Sequence, residues 1–246
     1  MAVVLIDADS IYFRAAYKLK KNEIRKTING VMRDIEAQSF MAQPFVAIKG
    51  KGNFRKDLYD GYKSNRNRNY EPELRAALNY GYEYMKDKYN GVPADGMEAD
   101  DLVCIWAHEA REAETPYIIA GIDKDLLQIP GQHYNYMKQE FTDVDDDQAN
   151  LNLMLQCLTG DSGDNIPGIK GIGPKRAANI LAHVPMERRW NRVRACWRAN
   201  AAGNPELSLR LLSMVKTWSE YEDIRAQISS KTSVSEQDVL PEQEEN

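Results

Sequence analysis

The 246-residue chain is 43% hydrophobic, which is enough apolar material for one large domain or for a large domain with a small appendage. No apolar run reaches about 18 residues and no signal-peptide segment is present, so neither membrane spanning nor export is indicated, and we expect a cytoplasmic location. The cysteines Cys104, Cys157 and Cys196 are odd in number and far apart, which fits reduced thiols rather than a disulfide framework or a zinc cluster.

The net charge of −5 and the isoelectric point near 5.4 argue against a nucleic-acid-binding protein only if the charge is uniform, and it is not. Acids concentrate at 95–101, 123–125, 143–147, 161–164 and after residue 235, whereas bases concentrate at 18–26, 49–68 and 188–198. An acidic centre between basic strips suits a metal-dependent enzyme that acts on a polyanion. Each charged run, taken singly, is equally consistent with a solvated surface.

A buried first strand is predicted for residues 2–6, an apolar run that is too short to form a helix of its own. Asp7 follows at the carboxyl end of this strand, which is where open α/β sheets place their ligands. Asp9 or Ser10 can cap the helix that follows. Asp7 is therefore a candidate binding residue.

The next elements predicted are a helix over residues 30–41 and a strand over residues 44–48. They precede a stretch in which cations alternate with tyrosines: Lys56, Tyr59, Tyr62, Lys63, Arg66, Arg68 and Tyr70. Because cations follow phosphates and rings stack on bases, this composition favours single-stranded nucleic acid as a ligand. A tyrosine-rich helix is predicted for residues 73–88, with most of its tyrosines packed in the core.

Two further groups of acids lie where predicted elements begin or end. They are Glu98, Asp100 and Asp101 in the first turn of a helix, and Asp123 and Asp125 after a strand predicted for residues 116–121. Acids in a first turn also stabilise the helix dipole, but three exceed what a cap requires. The acids Asp143, Asp145, Asp146 and Asp147 are instead expected in a solvated loop or a helix cap.

A glycine-rich loop follows a helix predicted for residues 151–158 and leads into another helix. The loop contains Gly168, Gly171 and Gly173, which permit positive φ and close backbone approach, and Pro174 suits a first helical turn. The free N–H groups of that helix would bind an anion such as a nucleic-acid phosphate. A simple turn between packed helices is the alternative, but Asp161 and Asp164, three residues apart just before the loop, favour a functional site.

Four segments together resemble the 5′ nucleases, which comprise flap endonucleases, bacteriophage 5′–3′ exonucleases and the 5′-nuclease domain of bacterial DNA polymerase I. The segments are LIDADSIYFRAAY, GMEADD, DKDLLQ and GDSGDNIPGIKGIGPKRAANIL, the last similar to a helix–three-turn–helix signature. The resemblance spans about residues 2–185. It implies cleavage of DNA with 5′ flaps, overhangs or junctions, and it leaves open RNA/DNA primers as substrates. It also implies a monomer, located in the host cytoplasm if the chain is phage-encoded.

The resemblance also assigns roles to residues. The metal-binding set is Asp7, Glu98, Asp100, Asp101, Asp123, Asp125, Asp161 and Asp164, and the catalytic cations are Lys63 and Arg66. The DNA contacts are Arg14, Arg55, Lys56, Tyr62, Arg68, Gly168, Lys170, Gly171, Gly173, Lys175 and Arg176. Oxygen-only ligands point to two Mg²⁺ or Mn²⁺ ions rather than zinc. A potassium ion at the glycine-rich turn is a further expectation from the family.

One departure from the family pattern occurs at the end of the second strand, where an aspartate is expected. Depending on a one-residue gap, Ile48 or Lys49 occupies that position. A lysine there would repel a divalent cation, which leads to the hypothesis of impaired catalysis. The alternative function is a catalytically inactive protein that binds DNA junctions.

The predicted fold is α/β, with a mostly parallel central sheet flanked by helices. The predicted divisions are a nuclease core at 1–158 with a short basic arch near 50–90, a helix–three-turn–helix region with C-terminal helices at 159–228, and an acidic disordered tail at 229–246. Helices of the second region are expected at 174–182, 186–199 and 205–218.

Overall fold

The computed structural model describes residues 2–67 and 69–237, with side chains as far as residue 230. Arg68 and the last part of the predicted tail, 238–246, lie outside the described residues. The strands are β1 Val3–Asp7, β2 Gln43–Lys49, β3 Val92–Ala94, β4 Tyr117–Ala120, β5 Gly131–Asn135, β6 Glu140–Val144, β7 Gly160–Asp161 and β8 Ile166–Pro167. The α-helices are α1 Asp9–Ala16, α2 Lys21–Gln38, α3 Phe54–Leu58, α4 Pro72–Tyr89, α5 Ala99–Glu112, α6 Asp146–Thr159, α7 Pro174–Leu181, α8 Met186–Ala199, α9 Pro205–Leu212 and α10 Trp218–Gln237.

The central sheet has the strand order β3-β2-β1-β4-β5-β6 and is parallel except for β6, which pairs antiparallel with β5. The chain moves outward from β1 first through β2 and β3, and then in the other direction through β4 and β5. The strand order therefore reverses between β1 and β4, and such a reversal opens a crevice at the carboxyl ends of the strands. The α/β fold class predicted from the sequence is confirmed.

Alternate residues of the strands face two hydrophobic cores, one on each side of the sheet. On one side, Val4 and Ile6 pack with α1, α2 and α4. On the other side, Leu5 packs with α5 and with a C-terminal segment that includes Val215 and Ile224. Both faces of the sheet are covered, which explains why β1 and β2 contain nearly continuous apolar runs.

A third core lies in a helical unit built from α6, α7, α8 and α9. Cys157 and Leu158 of α6 are fully buried in this core, together with Ala177 of α7 and Val193 of α8. Helix α6 therefore belongs with the helical unit rather than with the sheet, and α10 returns to the sheet. This arrangement differs from the predicted division at residues 158 and 159.

Several element boundaries also differ from the predictions. Helix α2 begins at Lys21, nine residues before the predicted start, because Ile24, Ile28 and Met32 already form one apolar face. Helix α9 ends at Leu212 rather than near Trp218, since the chain then turns to bury Met214 and Val215 against the sheet. Helix α10 includes residues 229–237, which the sequence assigned to a disordered tail.

The structure contains no described helix that is long and apolar enough to cross a membrane.

Candidate active site

Asp7 is the last residue of β1 and lies beside the reversal of strand order. Its side chain is buried, with 7% of the residue exposed, and one oxygen accepts the Asp9 N–H at 3.3 Å. Burial raises the pKa of Asp7 to about 8, and the nearby charges of Asp9, Asp123 and Glu98 add to the rise. The Asp7 carboxylate thus lies buried among other acids.

Asp9 is the first residue of α1, but it does not cap this helix through its side chain. Its Oδ1 atom instead accepts the backbone N–H of Lys49, at 2.6 Å, and the hydroxyl of Tyr12, at 2.9 Å. Burial raises the pKa of Asp9, although these two hydrogen bonds and the Lys49 charge oppose the rise. Asp9 was expected only as a possible cap, because nothing in the local sequence reveals the contact with β2.

The acids at the start of α5 have different surroundings. Glu98 directs its carboxylate toward Tyr62 and Lys63, whereas Asp100 is held near Glu98 and Asp7. Burial would raise the pKa of Glu98, but the charges of Lys63 and Arg55 outweigh it and lower this pKa. Burial and the charges of Glu98 and Asp101 raise the pKa of Asp100 well above its ordinary value.

Asp101 and Arg55 are two corrections to the predicted site. Asp101 is completely buried, and its two oxygens accept hydrogen bonds from the Arg55 guanidinium at 2.6 and 2.8 Å. The same oxygens accept the N–H groups of Glu98 and Val215, at 3.0 Å each, while Arg55 also donates to the carbonyls of Leu211 and Ser213. The predictions of Asp101 as a metal ligand and of Arg55 as a DNA contact are therefore wrong, because the polar atoms of both side chains are hydrogen-bonded inside the protein.

A second acidic group lies on the other side of the crevice, after β4. Asp123 accepts the N–H of Asp125 at 3.0 Å, and Lys124 bridges to Asp161 at 3.1 Å. Burial and the Asp123 charge raise the pKa of Asp125 to about 6. Burial would raise the pKa of Asp161, but the hydrogen bond and charge of Lys124 lower it.

Lys63 connects Glu98 with Asp164. Its ammonium contacts Glu98 and lies 3.4 Å from Asp164. Lys63 has a φ of 54°, a left-handed conformation that costs a non-glycine residue about 1–3 kcal/mol and persists only where surrounding contacts impose it. Its backbone N–H donates to the Asp164 carbonyl at 2.8 Å.

Polar contacts fasten the segment 61–66 to the segment 161–165. The Asn65 amide donates to the Ser162 carbonyl at 2.8 Å, the Asn165 amide donates to the Gly61 carbonyl at 2.8 Å, and Arg66 pairs with Asp164. The predicted DNA contact of Tyr62 is wrong, because only 3% of this residue is exposed and its hydroxyl donates to Glu98 and Asp164. Tyr62 instead holds these two acids close together.

A cleft of about 1010 Å³ opens next to these acids. Its lining combines carboxylates, cations and aromatic rings; it includes Asp9, Phe13, Lys49, Lys51, Lys56, Lys63, Arg66, Tyr70, Arg75, Tyr82 and Glu98. The sequence did not single out Phe13, Lys51, Arg75 or Tyr82 as ligand contacts. Phe13 and Tyr70 pack edge to face with their centroids 6.2 Å apart. Arg14, on α1, is exposed but is not part of this lining.

The glycine-rich turn before α7 is exposed at most of its predicted contact positions, namely Lys170, Gly171, Gly173, Lys175 and Arg176. Gly171 has a φ of +81°, as the turn requires, and Gly173 is the residue that precedes the helix. Gly168 has another role. A Cβ atom added there would lie 2.1 Å from the Thr159 carbonyl carbon, so this glycine permits two backbone segments to pack closely.

The eight carboxylates of the predicted metal-binding set have different surroundings in the structure. Asp7, Glu98 and Asp100 form one group, Asp123, Asp125 and Asp161 form another, Asp164 pairs with Lys63 and Arg66, and Asp101 faces the interior. Among the described side chains, no three Asp, Glu, His or Cys groups are close enough to hold one metal ion between them.

The donor set nevertheless fits Mg²⁺ or Mn²⁺. Mg²⁺ is commonly held by one or two carboxylates, with water and substrate phosphate completing its shell, so a closed protein cage is not required. All donors are oxygens, and the Lys63 ammonium already lies between Glu98 and Asp164. Burial, followed by neighbouring negative charge, raises the pKa of Asp7 and Asp100, and a bound cation would offset that charge.

The sheet topology and the acids along its carboxyl edge define the class of the protein as an α/β fold with an acidic site at the strand ends. The same fold occurs in the bacteriophage T5 flap endonuclease, solved as a pseudo-enzyme-product complex with DNA and metal ions, at a TM-score of 0.65 and 20% identity over 94% of this chain and 98% of that one. The T5 5′-exonuclease with bound divalent zinc also has a TM-score of 0.65, with 19% identity over 94% and 99% of the two chains.

A family model described as the 5′-3′ exonuclease, N-terminal resolvase-like domain, matches residues 2–153. The chain belongs to this family, which confirms the resemblance inferred from the motifs.

Relatives include DNA polymerase I of Rhizobium leguminosarum, 37% identical over 140 residues, which are 52% of this chain and 14% of the relative. The flap endonuclease Xni of Shewanella baltica is 34% identical over 137 residues, and the match covers 52% of each protein. The chain thus spans about half the length of the flap endonuclease relative.

Proposed function

We propose that the protein is a 5′ nuclease that hydrolyses phosphodiester bonds of DNA near the junction of a single strand and a duplex, at 5′ flaps or 5′ ends. The observation that supports this most strongly is the set of acids at the carboxyl edge of the sheet, where Lys63 lies between Glu98 and Asp164, beside a cleft lined by cations and rings. Relatives named as flap endonucleases and DNA polymerase I give independent support.

Two divalent ions are the proposed cofactors. One or two carboxylates of the group Asp7, Glu98 and Asp100 would bind one ion, and one or two of the group Asp123, Asp125 and Asp161 would bind the other, with water and substrate phosphate completing each shell. When bound, such ions activate a water molecule and neutralise charge on the phosphate during in-line displacement. Asp101 takes no part, because its oxygens are occupied by Arg55 and by backbone N–H groups.

Lys63 and Arg66 are the proposed donors to the substrate phosphate. Both line the cleft, and both now pair with carboxylates of the site. Phosphate oxygens would replace those carboxylates as acceptors, and such preorganised donors stabilise the charge that develops in the transition state. The rings of Phe13, Tyr70 and Tyr82 offer stacking surfaces for unpaired bases in the same cleft.

The duplex would be held by the N-terminus of α7 and the exposed turn before it. Lys170, Lys175 and Arg176 are exposed there and would contact phosphates, which gives selectivity for shape rather than for base sequence. The potassium ion implied for this turn stays a prediction.

An end-labelled 5′-flap oligonucleotide tests the proposal. We expect cleavage with Mg²⁺ or Mn²⁺ that is abolished by EDTA, and we expect Asp100→Asn to lower the rate by about 100-fold or more. Asp143→Asn is the matched control, since Asp143 lies in β6 and its side chain accepts a hydrogen bond from Gln132. Cleavage that persists in EDTA would contradict the metal requirement, and tight junction binding without any product would favour the inactive DNA-binding alternative.

A further inference from the structure

The carboxyl end of β2 brings no acid of its own to the edge of the sheet. Ile48 is completely buried in the core that β1 and β2 share with α1, α2 and α4, so its position faces away from solvent. Lys49 is exposed and lines the cleft with a cation. By contrast, β1 ends in Asp7 and β4 is followed by Asp123.

Asp9 supplies a carboxylate at this point in the structure. Its Oδ1 atom accepts the Lys49 N–H at 2.6 Å, which fixes the side chain against the last residue of β2. Tyr12, one helical turn further along α1, donates to the same oxygen at 2.9 Å. The side chain makes no capping hydrogen bond to its own helix, so helix capping does not account for this orientation.

Asp9 also shares the cleft with the groups that the proposed function requires. Lys49, Lys63 and Glu98 line the same cleft, and the backbone N–H of Asp9 donates to Asp7. The Asp9 carboxylate accepts these two hydrogen bonds, from Tyr12 and Lys49, through its Oδ1 atom. We propose that Asp9 is a metal-binding carboxylate that takes the place of the acid absent at the end of β2, an inference that rests on the proposed function.

A simpler role for Asp9 is that of a counter-ion for Lys49. In that case the Asp9 charge would only offset the lysine charge, and removing both charges together would leave cation affinity unchanged. If Asp9 binds the metal, removing both charges still leaves the site one ligand short. The two roles therefore differ in what a double substitution does.

Calorimetric titration of the DNA-free protein with Mn²⁺ separates these roles. Asp9→Asn retains an acceptor for Lys49 and Tyr12 but loses the charge, and we expect Mn²⁺ affinity to fall by about 10-fold or more. The double variant with Asp9→Asn and Lys49→Gln should remain weak, whereas Asp9→Asn combined with Lys49→Asp should recover most of the affinity. Tyr12→Phe is the structural control, because it removes a donor to Asp9 and keeps the carboxylate.

Three results would overturn the inference. Wild-type affinity in Asp9→Asn, with Asp100→Asn weakened in parallel, would exclude Asp9 while leaving the proposed metal site intact. Recovery by Lys49→Gln would assign Asp9 to charge balance. Absence of Mn²⁺ binding by the wild-type protein would reject the inference and the metal requirement of the proposed function together. Thermal melting of each variant in EDTA verifies that it is folded.

Discussion

At the scale of single residues, the buried Arg55 makes hydrogen bonds to several parts of the fold. Its guanidinium donates to both oxygens of Asp101 and to the carbonyls of Leu211 and Ser213, with only 3% of the residue exposed. It thereby joins α3 to the start of α5 and to the C-terminal end of α9. Arg55, which the family resemblance assigns to DNA contact, therefore links separate parts of the fold in this structure.

Substitution of Arg55 by methionine should therefore destabilise the fold. We expect a loss of about 3–5 kcal/mol in the free energy of unfolding, because Asp101 would stay buried without its partner. Urea denaturation in EDTA measures this loss. Arg66→Met is the control, since Arg66 is 45% exposed and its pair with Asp164 should contribute less than about 1 kcal/mol.

Replacing Arg55 and Asp101 together by apolar residues should recover part of the loss, because no unpaired buried charge remains. A variant Arg55→Met of unchanged stability but weakened DNA binding would restore the original interpretation of Arg55 as a DNA contact.

At the scale of elements, the segment 61–66 and helix α7 have different proposed roles: the segment contributes to cleavage, and the helix binds the duplex. The segment 61–66 is fixed to 161–165 by side chains of Asn65 and Asn165 and presents Lys63 to the acids. Helix α7 lies beyond those acids in the chain and presents exposed cations near its N-terminus. Cleavage and duplex binding should therefore be separable by substitution.

The combined substitution Lys175→Gln and Arg176→Gln should weaken binding to flap DNA and leave single-strand binding unchanged. If each side chain neutralises one phosphate, the slope of log affinity against log salt concentration should fall by about 2. Fluorescence anisotropy over a range of salt concentrations measures this slope. Lys18→Gln with Lys20→Gln changes the net charge equally at two exposed positions near the start of α2, and should leave the slope as in the wild type.

Local patterns were enough to predict the elements that depend on neighbouring residues. The apolar run before Asp7 predicted β1, and the acids near Glu98 predicted the start of α5. The pairing of Arg55 with Asp101 could not be predicted, because it joins residues 46 positions apart. The same limit applies to Asp9, whose sequence position suggests a cap and whose hydrogen bond reaches β2.

The hairpin of β5 and β6 was missed for a different reason. Its residues are largely polar, and the apolar side chains that it buries, such as Tyr134 and Val144, are too few to give a strand pattern. Strand β3 has only three residues and includes Pro93, which a sequence-based prediction treats as a strand breaker. Tertiary pairing with β2 outweighs that local preference.

At the scale of the whole molecule, the acids that the proposed chemistry requires are placed where their ionised forms are unfavourable in the metal-free fold. The fold brings Asp7, Asp9 and Asp100 together in surroundings that raise the pKa of each. In the unfolded chain these groups would ionise near pH 4. The folded, metal-free protein therefore retains protons that the unfolded chain releases.

The stability of the metal-free protein should consequently fall as pH rises. A group whose pKa is higher in the folded state contributes stability that is fully present below its unfolded pKa and is lost as pH rises through the folded value. For Asp7, that window extends from about pH 4 to about pH 8.

Because Asp7→Asn removes this titration, we expect the variant in EDTA at pH 8 to be more stable than the wild type by at least about 1 kcal/mol, or about 2–4 °C in melting temperature. Calorimetric melting of both proteins between pH 5 and pH 8.5 measures the effect. Added Mg²⁺ should reverse the order at pH 8, since a bound cation stabilises the ionised wild-type cluster more than the variant. Parallel pH profiles of the two proteins in EDTA would show that Asp7 ionises in the folded state as it does in water.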